Sequence, residues 1–425
     1  MFNIDRHILT IEGVSAVELA NVYGTPLYVY SESKILEQLD VIRKSFLEKY
    51  DNTHAAFACK AFCTKYMCRL LENEGFWLDV VSGGELYTAL EAGFPAERIE
   101  FNGNNKSDEE LIMALRAGIG RIVVDNTDEL YHLEKLCEIE RCVVKILFRV
   151  TPEVSAKTHD YISTGKKDSK FGIPLDEAII FPAIEYAIQS KVYDFLGFHF
   201  HVGSQLMEAE THISALDVVL KLILETKKRF DFSVKDFNLG GGFGIKYTAD
   251  DTPLKISDFI DPLMERLESF CATHGLVRPH VSMEPGRYIV GEAGIQLYQV
   301  GNIKDIPGVK CYVSVDGGMT DNMRPGLYGA KYEAIIANKA DLPKTAVVDI
   351  SGKCCESTDI LIKDLRLTKP ERGDLLAVFS TGAYGYTMSN NYNKLTIPAV
   401  VVVKDSNHRL IVRRQSYAEM VEREI

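Results

Sequence analysis

Eight short β-rich runs recur through the first two thirds of this 425-residue chain, each followed by a stretch of helical character. They are HAAFACK (54–60), WLDVVS (77–82), RIEFNG (98–103), RIVVDN (121–126), VVKILFRV (143–150), FLGFHFHVG (195–203), DFNLGGG (236–242) and HVSMEPG (280–286). Between them apolar residues fall at three- and four-residue steps, as in SDEELIMALRAG and TDELYHLEKL. Ser107 with Glu110, and Thr127 with Asp128 and Glu129 behind it, read as helix starts. VVKILFRV is apolar almost throughout, which suits a parallel sheet covered on both faces. Eight strand–helix beats have one economical closed solution, an α/β chain wound as a TIM-type (β/α)8 barrel. A doubly wound open sheet also tolerates this alternation. The barrel is favoured because Lys60, Asp79, Arg149, His201, Gly240 to Gly242 and Glu284 fall at or near the C-terminal ends of successive strands, where barrel enzymes assemble their sites.

After Gly286 the texture changes to short β-like runs with turn residues, such as KCYVSVDGG, TAVVDISG and IPAVVVVKD. The expected division is a barrel over 31–285 and a C-terminal all-β domain over 286–425, joined by the strand-like N-terminal residues 1–30. Lys and Arg number 48 against 60 Asp and Glu, so the formal charge is −12, which argues against a nucleic-acid or anionic-membrane surface. No run reaches the ~18 apolar residues of a membrane span, and the start shows no secretory signal. The nine cysteines lack zinc-ribbon spacing, so reduced thiols, no metal and a cytoplasmic location are expected.

Each motif has a chemical reading and a bland one. Lys60 in FACKAF, desolvated in a barrel mouth, would offer a neutral amine for imine formation; alone, it reads more simply as a surface lysine past a strand end. LGGGFG (239–244) can turn three backbone N–H groups towards a phosphate, or be a tight turn. It lacks the dinucleotide fingerprint, which disfavours nucleotide binding. Glu284 in MEPGRY can pair with a cationic ring nitrogen while Arg287 binds an anion, or the two can form a salt bridge. His199 and His201 share one side of their strand; two metal ligands, a ring stacked on a planar cofactor, and a satisfied core histidine all remain open. GKCCES (352–357), MRPGLY (323–328) and TGAYGYTMSNNYN (381–393) read as loops of the β domain that supply substrate groups. Residues 156–172, rich in Gly, Ser and Lys, suit a mobile segment.

Taken in order, FACKAF, DVVSGGEL, GFHFHVGSQ, NLGGGFG, EPGRY, MRPGLY, CCESTD and GAYGY resemble the pyridoxal-phosphate decarboxylases with an alanine-racemase-like barrel, from about Thr25 to Asn393. The resemblance implies that Lys60 carries the cofactor covalently, that His201 stacks on its ring and that Glu284 keeps the ring nitrogen protonated. Ser204, Gly240, Gly241, Gly242, Gly286, Arg287 and Tyr384 would surround its phosphate and ring, with Asp79, Glu85 and Arg149 lining the pocket. Arg287, Arg324, Tyr328, Glu356 and Tyr384 would bind substrate. Cys355 and Glu356 would come from the second subunit of a homodimer. The expected reaction is decarboxylation of meso-2,6-diaminopimelate to L-lysine and CO2. Decarboxylation of ornithine, arginine or carboxynorspermidine is the alternative, with a non-catalytic protein-binding homologue or a zinc hydrolase as readings of another class.

The chemistry of the residues agrees with that implication. Loss of CO2 leaves an electron pair that a protonated cofactor ring can absorb, and a thiol can return the proton. A distal carboxylate calls for an arginine clamp, which a substrate such as ornithine would not need. Two positions depart from the family pattern: Phe62 stands where Asn is common, and Lys353-Cys354 precedes Cys355 where Pro and a variable residue are usual. The second departure leaves Cys354 as a rival proton donor.

Overall fold

The computed structural model describes residues 1–154 and 169–425. Most of the 156–172 segment expected to be mobile lies outside the described residues. The chain divides into two compact units, one of Asp40–Gly244 with Pro253–Gly286, the other of Met1–Leu39 with Ile245–Thr252 and Arg287–Ile425.

In the first unit the eight sequence runs become eight strands, β1 (Thr53–Ala58), β2 (Trp77–Val80), β3 (Ile99–Phe101), β4 (Arg121–Val124), β5 (Val144–Thr151), β6 (Tyr193–His199), β7 (Asp236–Asn238) and β8 (His280–Met283). Each pairs in parallel with its successor. Val281, Ser282 and Met283 of β8 pair with Thr53, His54 and Ala55 of β1, which closes the ring and excludes the open sheet. The helices α1 (Lys65–Asn73), α2 (Gly83–Glu91), α3 (Asp108–Ala117), α4 (Thr127–Glu140), α5 (Glu177–Gln189), α6 (Glu210–Phe230) and α7 (Ile256–His274) follow the first seven strands in turn. Ser107 and Glu110 form the expected capping box of α3. The cap of α4 falls one residue earlier than the sequence reading, on Asn126, whose side chain accepts the Glu129 N–H; Thr127 is the first helical residue.

One irregularity decides which way β6 points its histidines. Phe195 pairs with Ile146 but Gly197 pairs with Leu147, so the strand carries a bulge between them. Leu196 packs with Val123 and Leu147 inside the barrel. Beyond the bulge Phe198 meets Phe195 edge to face, Phe200 meets Phe237, and His199 stands opposite Arg149. The extra residue therefore shifts the alternation, sending the phenylalanines outward and His199 inward.

The second unit is built on the 13-residue strand Gly294–Ile306. It pairs antiparallel with Leu27–Ser31, Leu375–Val378 and Lys310–Val315, and Leu27–Ser31 also pairs in parallel with Ala399–Lys404. One apolar cluster gathers Tyr298, Val313, Ile336 and Ile350, and another gathers Leu27, Ile295, Leu297 and Val401. Ile245 and Tyr247 pack in the first of these clusters, which places the short segment 245–252 with the β unit. The five-residue helix Arg324–Tyr328 interrupts the otherwise β-rich region. No helix among the described residues is long and apolar enough to cross a membrane.

Candidate active site

The barrel unit brings most of its expected site residues to one rim. Lys60 lies in a single 3-10 turn directly after β1, Asp79 in β2, Arg149 near the end of β5, His201 two residues past β6, Gly240 to Gly242 after β7, and Glu284 directly after β8. Lys60 shares one electrostatic neighbourhood with Asp79, Glu85, His201 and Glu284, since its charge favours the carboxylate form of the acids and opposes protonation of the imidazole.

Glu284 is 5% exposed, so an ionised carboxyl there needs partners. Its Oε1 accepts Nδ2 of Asn102 at 3.1 Å and Nδ2 of Asn238 at 2.9 Å. Nε2 of His199 lies 2.9 Å from the same oxygen. Burial opposes ionisation, yet His199 at close range, followed by Lys60 and His201, holds the carboxyl far below its ordinary range. Asp79 takes the opposite state: burial first, then the Glu284 charge, pushes its carboxyl well up. Its Oδ1 accepts Asn102 Nδ2 at 2.6 Å, while Oδ2 is buried without a hydrogen-bond partner among the described residues. Burial also raises Glu85 to about 7, against the Val81 N–H that its Oε2 accepts.

Desolvation, with Lys60 and Arg149 as nearby cations, pushes His201 well below its usual range, so the ring is neutral. Gly241 N–H donates to its Nδ1 at 3.3 Å, which places the ring proton on Nε2. The Gly240 N–H is likewise engaged, donating to Asn238 Oδ1 at 2.8 Å. Packing alone accounts for this glycine run: a Cβ would lie 2.3 Å from Phe200 O at Gly240, 2.1 Å from Glu284 O at Gly241 and 2.2 Å from Gly203 O at Gly242. The loops after β6, β7 and β8 meet backbone to backbone there. Arg149 is buried, 3.9 Å from Asp125 and 4.4 Å above the Phe171 ring.

Several residues here carry no sequence motif. Asn102 and Asn238 each bridge two carboxylates, Asn238 reaching Glu100 Oε2 at 2.9 Å as well as Glu284. Glu100 is held ionised, despite burial, by Arg121 and by His54 at 2.6 Å. The signal that could have found both asparagines is the strand-end rule already applied to Lys60 and Glu284.

The β unit holds a second cluster. Arg287 and Arg324 are both buried. Nη1 of Arg324 donates to the Tyr247 hydroxyl at 2.9 Å and the Tyr332 hydroxyl at 2.6 Å, and Arg287 donates to the same Tyr247 hydroxyl. Both guanidiniums face the Tyr384 ring, at 4.8 and 5.9 Å, and Tyr384 sits at φ 61°, a left-handed conformation rare for a non-glycine residue. Among the described residues no carboxylate pairs with Arg324, a buried cation surrounded by phenols and suited to an anionic ligand. Tyr328 ends the short helix that Arg324 begins.

In the CCES loop, Cys354 is buried, its N–H donates to Asp359 Oδ2 at 2.8 Å, and burial pushes its thiol up to about 11. Cys355 is exposed, with its N–H on Asn393 Oδ1 at 2.7 Å, and Glu356 is exposed beside it. The two cysteines that the sequence left as rivals thus differ in access. Among the described residues no group of three or more His, Cys, Asp or Glu is placed to hold a metal ion.

These features fit pyridoxal phosphate. A lysine, a carboxylate whose bound oxygen is Oε1, and a neutral imidazole share one rim, and an unpartnered Asp79 oxygen lies beside them. A family model described as pyridoxal-dependent decarboxylase, pyridoxal binding domain, matches residues 33–291. The chain is 49% identical to the diaminopimelate decarboxylase of Bacillus subtilis (strain 168), over 97% of its own length and 94% of the relative's. It is 42% identical to that of Staphylococcus aureus (strain COL), over 97% and 96%. A solved diaminopimelate decarboxylase from M. jannaschii, in complex with L-lysine, superposes with a TM-score of 0.94 at 36% identity, covering 100% of this chain and 98% of that one. One from Helicobacter pylori, also with L-lysine, gives 0.87 at 31%, covering 96% and 98%.

Proposed function

The chain belongs to the pyridoxal-dependent decarboxylase family, and we propose that it converts meso-2,6-diaminopimelate to L-lysine and CO2, the last step of lysine biosynthesis. The observation that carries this reading is Lys60 on the same barrel rim as an anionic Glu284, in a chain resembling diaminopimelate decarboxylases along nearly its whole length.

Held on Lys60, pyridoxal phosphate supplies the electron sink for the pair left when CO2 departs. Glu284 keeps a proton on the ring nitrogen, using the oxygen that Asn102, Asn238 and His199 leave unengaged. His201, neutral, presents a ring face without adding charge against that proton. Ser204, Gly242, Gly286, Arg287 and Tyr384 are the proposed phosphate contacts, and Gly240 and Gly241 shape the loop with N–H groups already donated. Asp79, protonated by its surroundings, can donate from its carboxyl into the pocket, with Glu85 and Arg149 near it.

Arg324, with Arg287, Tyr328 and Tyr384, is the proposed receptor of the distal carboxylate, a role suited to a buried guanidinium without an acidic partner. The proton returned to carbon comes from Cys355 of the partner subunit, next to Glu356 of the partner subunit, in a cytoplasmic homodimer. Exposure of Cys355 within its own unit supports that assignment over Cys354.

The test is purified protein loaded with pyridoxal phosphate and offered meso-diaminopimelate, ornithine, arginine or carboxynorspermidine in turn. CO2 and L-lysine should form from diaminopimelate, and borohydride should fix the cofactor on Lys60, seen by peptide mass. Release of CO2 from ornithine but not diaminopimelate would overturn the substrate.

A further inference from the structure

Glu284 is held from one side. Nδ2 of Asn102, Nδ2 of Asn238 and Nε2 of His199 all converge on Oε1, at 3.1, 2.9 and 2.9 Å, and among the described residues none of the three forms a hydrogen bond to Oε2. The partners are unequal. Asn102 divides its amide between Glu284 and Asp79, and Asn238 divides its own between Glu284 and Glu100. Neither nitrogen of the His199 ring, 1% exposed, is aligned for a hydrogen bond among the described residues, so Nε2 meets Oε1 as a close ion-pair contact. It reaches Glu284 only because the bulge at Leu196–Gly197 turns it inward; regular alternation would put it on the outer face with Phe195.

We infer that His199 is a positioning residue: it fixes the Glu284 carboxylate with Oε1 engaged, so that Oε2 is kept for the ring-nitrogen proton of the bound cofactor. The inference rests on the pyridoxal-phosphate reading of this rim. Charged or titratable groups face Glu284 from β1 (Lys60), β2 (Asp79), β3 (Glu100), β5 (Arg149) and β6 (His199 and His201). Asp79 is uncharged and Glu100 repels, while Lys60 and Arg149 act on Glu284 through their charge. Among the described residues, His199 is the ionisable group that comes within ion-pair distance of it. Without His199, burial would dominate and Glu284 would take up its proton at a higher pH.

The test compares His199→Leu, which deletes the polar contact, with His199→Gln, whose amide reaches about as far as Nε2. Each is prepared as apoprotein, titrated with pyridoxal phosphate, and followed by cofactor absorbance against pH and by thermal melting. His199→Leu should move the acid-side spectral transition up by about one to two pH units, the worth of one close polar contact with a buried charge. It should also weaken cofactor binding about tenfold or more, and His199→Gln should restore part of both. A structural role alone would lower the melting temperature in both variants with the spectral transition in its parental place, and that result overturns the inference. If His199→Leu does not fold, His199→Asn, too short to reach Oε1, is judged by the same criterion. Parental protein that takes up no pyridoxal phosphate would sink the functional reading as well, whereas normal uptake with unshifted variants sinks this inference alone.

Discussion

Replacing Arg324 probes the substrate side of the proposed reaction. Its guanidinium is 8% exposed, bonded to the hydroxyls of Tyr247 and Tyr332, and paired with no carboxylate among the described residues. A substrate carboxylate would supply the anion that this site lacks, and a hydrogen bond to a charged group contributes about 1.5–3 kcal/mol. At about 1.4 kcal/mol per decade, Arg324→Met should lower kcat/KM for diaminopimelate by about 10- to 150-fold. The loss should fall mainly on KM, because the contact is remote from the bond being broken. Arg324→Lys keeps the charge without the planar fork and should sit between the two. The methionine variant also strips a donor from two buried phenols, at a cost of about 1–3 kcal/mol each where the hydroxyl finds no other partner, so thermal melting must accompany the kinetics. Steady-state release of CO2 over a range of diaminopimelate concentrations is the assay. A folded Arg324→Met enzyme with parental KM would refute the reasoning.

Cys355→Ala should cut turnover by about 10²- to 10⁴-fold, the usual worth of a positioned proton donor, while Cys354→Ala keeps it near parental; an unchanged rate for Cys355→Ala would remove it from the reaction. Glu85 gives a pH prediction. Its native carboxyl titrates near 7, above the 4.5 of the free side chain, so the native state binds more protons between those values and stability falls as pH rises through that window. Glu85→Gln apoprotein should therefore gain melting temperature over the parent at pH 8 and little at pH 4, and equal gains at both would count against burial as the cause. Gly241→Ala forces a methyl to within 2.1 Å of the Glu284 carbonyl and should lose cofactor binding along with stability. Gly84→Ala, on the exposed first turn of α2 with nothing nearer than 3.8 Å, should melt at or above the parental temperature.

Much of the barrel was legible because its signals are local. A strand such as VVKILFRV must be covered on both faces, a Ser107–Glu110 box starts a helix wherever it is placed, and site residues recur at strand ends because loops there face one rim. Lys60, His201 and Glu284 were found by that rule together with the family resemblance. Asn102 and Asn238 obey it too, but Asn102 before Gly103, and Asn238 two residues before the run Gly240 to Gly242, read equally well as turn residues, and nothing in the chain marks either as a bridge between acids.

The sequence by itself determined the eight beats, the β-rich region after them and the chemical types brought to the rim, since these follow from hydrophobic period and turn chemistry within short windows. Tertiary structure alone decided protonation and direction. Asp79 and Glu284 are both acids at strand ends, yet burial leaves one neutral while His199 and two amides keep the other charged. Periodicity carried past Leu196 would have turned His199 away from Glu284, and one extra residue in β6 turned it back. Segment 245–252 joined the β unit because Ile245 and Tyr247 found their apolar partners there. Each of these outcomes depends on residues far apart in the chain sharing a low-dielectric space, and no local pattern records that sharing.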